Sequence, residues 1–201
     1  LPNGDFFGTI CMLDDKENDF SQDMKDFMEK MRNLIEAYLD LLHLSITDKL
    51  TSLYNRTYLD IKASKEIKKA NLSRKTITAL LLDIDHFKKI NDTFGHQIGD
   101  DVLKNFAEII TSCLRNRGIP FRLGGDEFIV LMPDTAINDA VTEGNNLRLK
   151  VEGTQIQPDL KITISIGAAE WKCGESMDNW FMRVDKALYK CKHAGGNQVM
   201  S

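Results

Sequence analysis

The chain has 201 residues, 42% hydrophobic and 28% charged, the composition of a globular protein rather than a disordered or fibrous one. Its 30 acidic and 26 basic side chains give a net charge of −4, which excludes the long basic surface of a non-specific nucleic-acid binder. No apolar run reaches the roughly 18 residues needed to cross a bilayer, and the cysteines Cys11, Cys113, Cys173 and Cys191, with no CxxC pair, read as reduced cytoplasmic thiols rather than metal ligands.

In chain order, residues 5–13 read as a strand and 14–19 as a polar turn, too little to fold alone. The chain opens on Leu1 rather than Met, so residues 1–20 are expected to be the remnant of an upstream domain, whose missing part could carry a membrane anchor. From Ser21 the apolar positions recur every seven residues: Met24, Met31 and Tyr38; Phe27, Leu34 and Leu41; Met28, Ile35 and Leu42. That stripe suits a helix packed on its own domain, but the heptad spacing favours a two-stranded coiled coil over 21–46, and with it a homodimer.

A turn-like stretch over 47–56 leads into a basic amphipathic helix ending near Lys69. Residues 76–84 are β-rich and almost continuously apolar, as a central strand buried on both faces would be. A short helix over 87–94, a loop over 95–99 and a helix over 101–117 follow, with Asp100 as the expected N-cap. Strands over 120–123 and 128–132 flank a hairpin at Gly124-Gly125-Asp126-Glu127, because paired glycines supply the positive φ of a tight turn. A helix over 137–151, a strand over 161–169 and a helix over 177–194 complete the order β-α-α-β-β-α-β-α. It predicts an α+β sandwich of ferredoxin-like type, an antiparallel-containing sheet with helices packed on one face, preceded by a long helix.

Chemistry concentrates in the carboxylates. Asp83 and Asp85 lie on one side of the end of an otherwise apolar strand, where unpaired burial would be very costly. They therefore need solvent, a cation partner or a metal. If the hairpin carrying Asp126 and Glu127 lies beside that strand, three or four carboxylates converge. Such an oxygen-only set suits Mg²⁺ or Mn²⁺, and two ions can serve nucleotidyl transfer by activating a hydroxyl and stabilising the leaving oxygen. On hairpin chemistry alone, an exposed turn with ornamental acids is an equally good reading.

Five separated motifs then match in order: Asp48-x-Leu50-Thr51-x-Leu53-x-Asn55-Arg56; Asp83-Ile84-Asp85-His86-Phe87-Lys88-x-Ile90-Asn91-Asp92 with Gly95-His96-x-x-Gly99-Asp100; Arg122-x-Gly124-Gly125-Asp126-Glu127-Phe128; Thr163-x-Ser165-Ile166-Gly167; and Asp185-x-Ala187-Leu188-Tyr189. From residue 47 onward the chain resembles the GGDEF family of diguanylate cyclases. The resemblance implies a nucleotidyl-cyclase, polymerase-palm-like sandwich around a mixed, largely antiparallel sheet over 47–201. It also implies condensation of two GTP molecules into cyclic di-GMP with release of two pyrophosphates.

In that family pattern Asp83, the Ile84 carbonyl and Glu127 hold two Mg²⁺ or Mn²⁺ ions per half-site, while Asp126 contacts metal or takes the proton of the ribose 3′-hydroxyl. Asn91 and Asp100 recognise guanine; a carboxylate can accept from both N1–H and the exocyclic amine, a donor pair that adenine lacks. Backbone amides around His86, Phe87 and Lys88 at a helix N-terminus hold the β- and γ-phosphates, and Lys192 resembles the family's phosphate-binding lysine. The imidazoles of His86 and His96 read as packing or loop groups. Each domain binds one GTP, so two copies must meet through the helical linker; no nucleic acid and no membrane contact are expected of residues 1–201, and the expected location is cytoplasmic. Residues 1–45 resemble the end of a GAF-like sensor domain and its exit helix.

Three departures stand out. The family's Arg-x-x-Asp inhibitory site is reduced to Arg115, with Gly118 in place of the aspartate, so weak or absent product inhibition is expected. Gly196 stands where the family commonly has an arginine that contacts phosphate, and Ser52 replaces a glycine. A catalytically silent domain that binds GTP or cyclic di-GMP as a receptor is the alternative; silent members usually lose the acidic hairpin and keep the inhibitory site, the reverse of what stands here. An inert dimerisation module is a third reading.

Overall fold

The computed structural model describes residues 11, 13–14, 19–114, 117–157 and 160–201. The chain divides into two compact units, 1–47 and 48–201. The strand expected over 5–13 lies largely outside the described residues. In the first unit, helix α1 (Gln22–Ile46) is opened by Ser21, whose hydroxyl accepts from the Met24 amide at 3.3 Å. Along it Met24, Phe27, Leu34, Tyr38, Leu41 and Leu42, all from the sevenfold series, are exposed. No helix among the described residues is long and apolar enough to cross a membrane.

The second unit runs β1 (Tyr54–Asn55), α2 (Arg56–Ser73), β2 (Ile77–Ile84), α3 (Phe87–Phe94), α4 (His96–Leu114), β3 (Ile119–Gly124), β4 (Glu127–Pro133), α5 (Ile137–Glu152), β5 (Gln155–Gln157), β6 (Leu160–Lys161), β7 (Ile164–Glu170), α6 (Met177–His193) and β8 (Val199–Met200). Among the described residues one sheet has the strand order β1-β3-β4-β2-β7-β8, and β5 and β6 form a separate hairpin. The four inner strands are antiparallel; the two-residue edge strands β1 and β8 pair parallel. This is the mixed, largely antiparallel sheet expected of the α+β sandwich.

The pleat of β2 dictates where the helices go. Leu80, Leu82 and Ile84 face one side with Phe128, Val130 and Ile166, and there they meet Phe106 and Ile110 of α4 and Leu147 of α5. Ile77, Ala79 and Leu81 face the other with Phe121, Ile129 and Leu131, covered by Leu59 and Ile67 of α2 and Trp180 and Val184 of α6. The helices thus cover both faces, and the expectation of one covered face is corrected. A strand apolar at both odd and even positions leaves no wet face to a sheet. Specific contacts finish each layer: Phe106 and Phe128 meet edge to face at 4.9 Å, and buried Trp180 donates Nε1–H to the Ala169 carbonyl at 2.8 Å.

Two boundaries move. Residues 96–99, expected as loop, are helical, because Gly95 at φ +84° makes the whole corner between α3 and α4 in one residue. Asp100 therefore lies inside α4 and is not its N-cap. The strand expected over 161–169 is broken at Ile162-Thr163, where Thr163 leaves the ladder: its carbonyl accepts from the Asp85 amide at 2.9 Å and its hydroxyl donates to Asp85 Oδ2 at 2.7 Å.

Gly167 sets the approach of α6 to β7. A Cβ there would stand 2.3 Å from the Leu188 amide nitrogen and 2.4 Å from the Val184 carbonyl oxygen, both backbone atoms that cannot step aside. Gly167→Ala should therefore cost about 3 kcal/mol or more by overpacking, read as a lower denaturation midpoint in urea at unchanged slope.

Candidate active site

The ladder registers Asp83 of β2 with Glu127 of β4 on one side and with Ser165 of β7 on the other. The end of the central strand thus stands beside the tip of the β3–β4 hairpin. Gly125 and Asp126 form the turn, with Gly124 at φ +144° and Gly125 at φ +52°, and the register slips between Arg122 and Gly124.

Arg122 holds this tip in place. Its Nε and Nη2 donate to the Gly125 carbonyl at 3.2 and 2.8 Å, and its Nη1 donates to Asp48 Oδ1 at 2.9 Å. The same Asp48 oxygen accepts from the Thr51 amide at 2.9 Å and the Thr51 hydroxyl at 2.7 Å. Burial pushes the Asp48 carboxyl up, but the Thr51 and Arg122 hydrogen bonds outweigh it and leave it below the usual carboxylate range.

Beside the tip lies a cleft of about 340 Å³. It is lined by Asp83, Ile84 and Asp85 at the end of β2, by His86, Phe87 and Lys88 at the start of α3, and by Asp126, Lys192, Gly195 and Gly196. His86 takes a left-handed φ of +58° to swing the chain from β2 into α3. The Lys89 and Ile90 amides donate to the His86 carbonyl, which leaves those of Phe87 and Lys88 at the open, positive end of the helix. Lys192 Nζ stands 2.5 Å from Asp83 Oδ2. Asp83 is buried, and that burial, reinforced by the charges of Asp126 and Glu127, pushes its carboxyl up to about 6 against the pull of Lys192.

Asp85 behaves differently from its neighbour two residues before. Its Oδ1 accepts from the Ser165 hydroxyl at 2.6 Å; its Oδ2 accepts from the Thr163 hydroxyl at 2.7 Å and the Asn197 amide at 2.9 Å. Both oxygens are committed to holding the turn after α6 against the sheet. The acids that approach one another are thus Asp83, Asp126 and Glu127. Among the described residues no three His, Cys, Asp or Glu side chains converge closely enough to form a metal site by themselves. A hard cation fits the donor chemistry nonetheless: a buried carboxylate with excess negative charge around it and the Ile84 carbonyl in the same cleft, with phosphate oxygens to complete the shell.

Asn91 lies against Gly99, the residue before Asp100, at the corner of α3 and α4. Gly99 makes this possible: a Cβ there would lie 1.9 Å from Asn91 Oδ1 and 3.4 Å from Phe87 Cζ. Phe87 links this corner to the cleft that it also lines. Glu127, although paired with Asp83 in the ladder, is exposed and lines a neighbouring hollow with Arg56, Asp60 and Asp185. Arg115 lies outside the described residues. Three contributors escape a reading of the sequence for chemistry: Asp85 as a structural acid, Gly99 as the seat of Asn91, and Arg122 with Asp48 as a brace. The motif spacing held all of them, but not which partner each would find.

The family described as diguanylate cyclase, GGDEF domain, matches residues 45–198. Response regulator PleD from Caulobacter vibrioides is 40% identical over 182 residues, covering 88% of this chain and 39% of PleD. Diguanylate cyclase A from Treponema denticola is 35% identical over 195 residues, covering 92% of this chain and 53% of the relative. The chain therefore spans about two fifths to one half of the length of these curated relatives. The crystal structure of the coiled coil and GGDEF domain of DgcB from Caulobacter crescentus, in complex with c-di-GMP, superposes with a TM-score of 0.83 at 33% identity, covering 88% of this chain and 96% of that one.

The brace has a measurable pH signature. Because the Asp48 carboxyl is depressed in the fold, its contribution is present above the ordinary value of 3.8 and is lost as pH falls through the lower folded value. Asp48→Asn should cost about 1–3 kcal/mol at pH 7, and the gap from wild type should close below pH 3.8 in denaturation curves taken across that range.

Proposed function

Because the chain belongs to the GGDEF diguanylate cyclase family, we propose that residues 47–201 condense two GTP molecules into cyclic di-GMP and two pyrophosphates. The observation that carries this reading is the braced acidic tip: Asp126 lines one cleft with buried Asp83, the open end of α3 and Lys192. Asp83, the Ile84 carbonyl, Asp126 and Glu127 would hold Mg²⁺ or Mn²⁺, two ions per half-site. Bound there, the ions would supply charge neutralisation of the triphosphate and a lowered barrier to hydroxyl attack.

The chain's own residues account for the rest. Amides at the start of α3 and the Lys192 ammonium bind the β- and γ-phosphates. The half-buried Asp100 carboxylate accepts from the guanine N1–H and amine, and Asn91, seated on Gly99, completes the edge. In each of two steps the ribose 3′-oxygen of one nucleotide forms a bond to the α-phosphorus of the other, the bond to pyrophosphate breaks, and Asp126 takes the hydroxyl proton. One domain presents one nucleotide, so the reaction needs a second copy. The exposed heptad stripe of α1 supports a homodimer through residues 21–46.

Incubation with GTP and Mg²⁺ should give cyclic di-GMP and pyrophosphate in a 1:2 ratio, and Asp126→Ala should lower the rate at least about 100-fold. Cyclic di-GMP binding with no turnover would instead favour the receptor reading. Because Gly118 replaces the aspartate after Arg115, initial rates should be insensitive to added cyclic di-GMP; micromolar inhibition abolished by Arg115→Ala would overturn that expectation.

A further inference from the structure

We propose that Lys192 and the divalent cation compete for Asp83: the ammonium serves as the carboxylate's counter-ion until metal displaces it toward the nucleotide's phosphates. This rests on the cyclase reading of the cleft and adds a second role for a residue there assigned only to phosphate.

The geometry of the pair carries the argument. The Asp83 side chain is 6% exposed and cannot turn to water, whereas Lys192 is 44% exposed and reaches down to it from the rim, to 2.5 Å. A buried carboxylate beside Asp126 and Glu127 needs a cation at all times, and leaving it bare is costly. Lys192 is also delivered to the spot by fixed backbone. After α6 the Gly195 amide donates to the Lys192 carbonyl at 3.2 Å and the Gly196 amide to that of Cys191 at 3.0 Å. The next amide, Asn197, is held by Asp85 at 2.9 Å. The helix end is thereby fastened to the end of β2, and the exposed lysine side chain spans from it to Asp83.

A divalent ion arriving alone must expel the ammonium with no anion to receive it. An ion arriving with a triphosphate brings that anion along. Metal and nucleotide should therefore favour each other through Lys192, each by the same factor. Gly196 sharpens the dependence. Its φ is +76° and a Cβ would sit 3.0 Å from Asp85 Oδ1, so the backbone there disfavours a side chain of the kind that contacts phosphate in the family. Among the described residues that line the cleft none is an arginine that could take over the phosphates from Lys192.

The test is Mn²⁺ binding to the whole chain without nucleotide, followed by the electron paramagnetic resonance signal of free Mn²⁺. Lys192→Met and Lys192→Gln should each bind at least fivefold more tightly than wild type. Lys88→Met removes a cation from the same cleft that makes no ion pair among the described residues, and it should stay within twofold. Unchanged affinity in both Lys192 variants would overturn the proposal, as would an equal gain in Lys88→Met, which would reveal general charge repulsion. Failure of every variant to take up Mn²⁺ without nucleotide would overturn this inference alone, and failure with a non-hydrolysable GTP analogue present as well would overturn the metal reading of the cleft too; binding without a Lys192 effect leaves the cyclase reading standing.

Discussion

A strand buried on both faces can carry charge only where it ends, and β2 is such a strand. Seven of its eight residues, Ile77 to Leu82 and Ile84, pack into two separate apolar layers or bond locally, as Thr78 does to the Thr135 carbonyl. The remaining one is Asp83, and Asp85 follows just outside the strand. That placement forces the surroundings to answer the charge. The β3–β4 hairpin, the turn after α6 and the start of α3 all converge on the end of β2, and each brings either a donor or another acid.

The two aspartates divide the work by their partners rather than by their position. Asp85 is saturated by two hydroxyls and an amide, and it organises backbone. Asp83 has one ammonium partner, the exposed Lys192, and acidic neighbours, and among the described residues no hydroxyl or amide holds its carboxylate. Arg122 spends its guanidinium on the Gly125 carbonyl of the hairpin and on the carboxylate of Asp48, 74 residues before it. A hairpin with two positive-φ glycines gains flexibility it cannot use, and this brace removes it.

Much of this was legible in residues. The apolar run over 76–84 announced a central strand, paired glycines announced the hairpin, and their separation in sequence did not hide that both carry acids. Other features depend on what packs against what. The one-covered-face expectation failed because element order does not say on which side a helix returns, although the apolar run in β2 already required both sides. Helix α4 starts early because a single positive-φ Gly95 replaces the loop that polar and glycine residues over 95–99 resemble. Strands of two residues, such as β1 and β8, have no period to detect. Asp85 looked like a partner of Asp83 because alternate strand residues share a face; the break at Thr163 gave it different company.

The Asp85 contact also bears on the order in which the domain comes into being. Asp85 and Asn197 are 112 residues apart, and closing so long a loop is entropically costly until most other contacts are in place. During synthesis the sheet strands β2, β3, β4 and β7 can pair while α6 is still emerging, but the turn that fixes Lys192 cannot. A nascent chain therefore holds its acidic tip before Lys192 is in place, and the cleft is completed only when residues 195–197 dock.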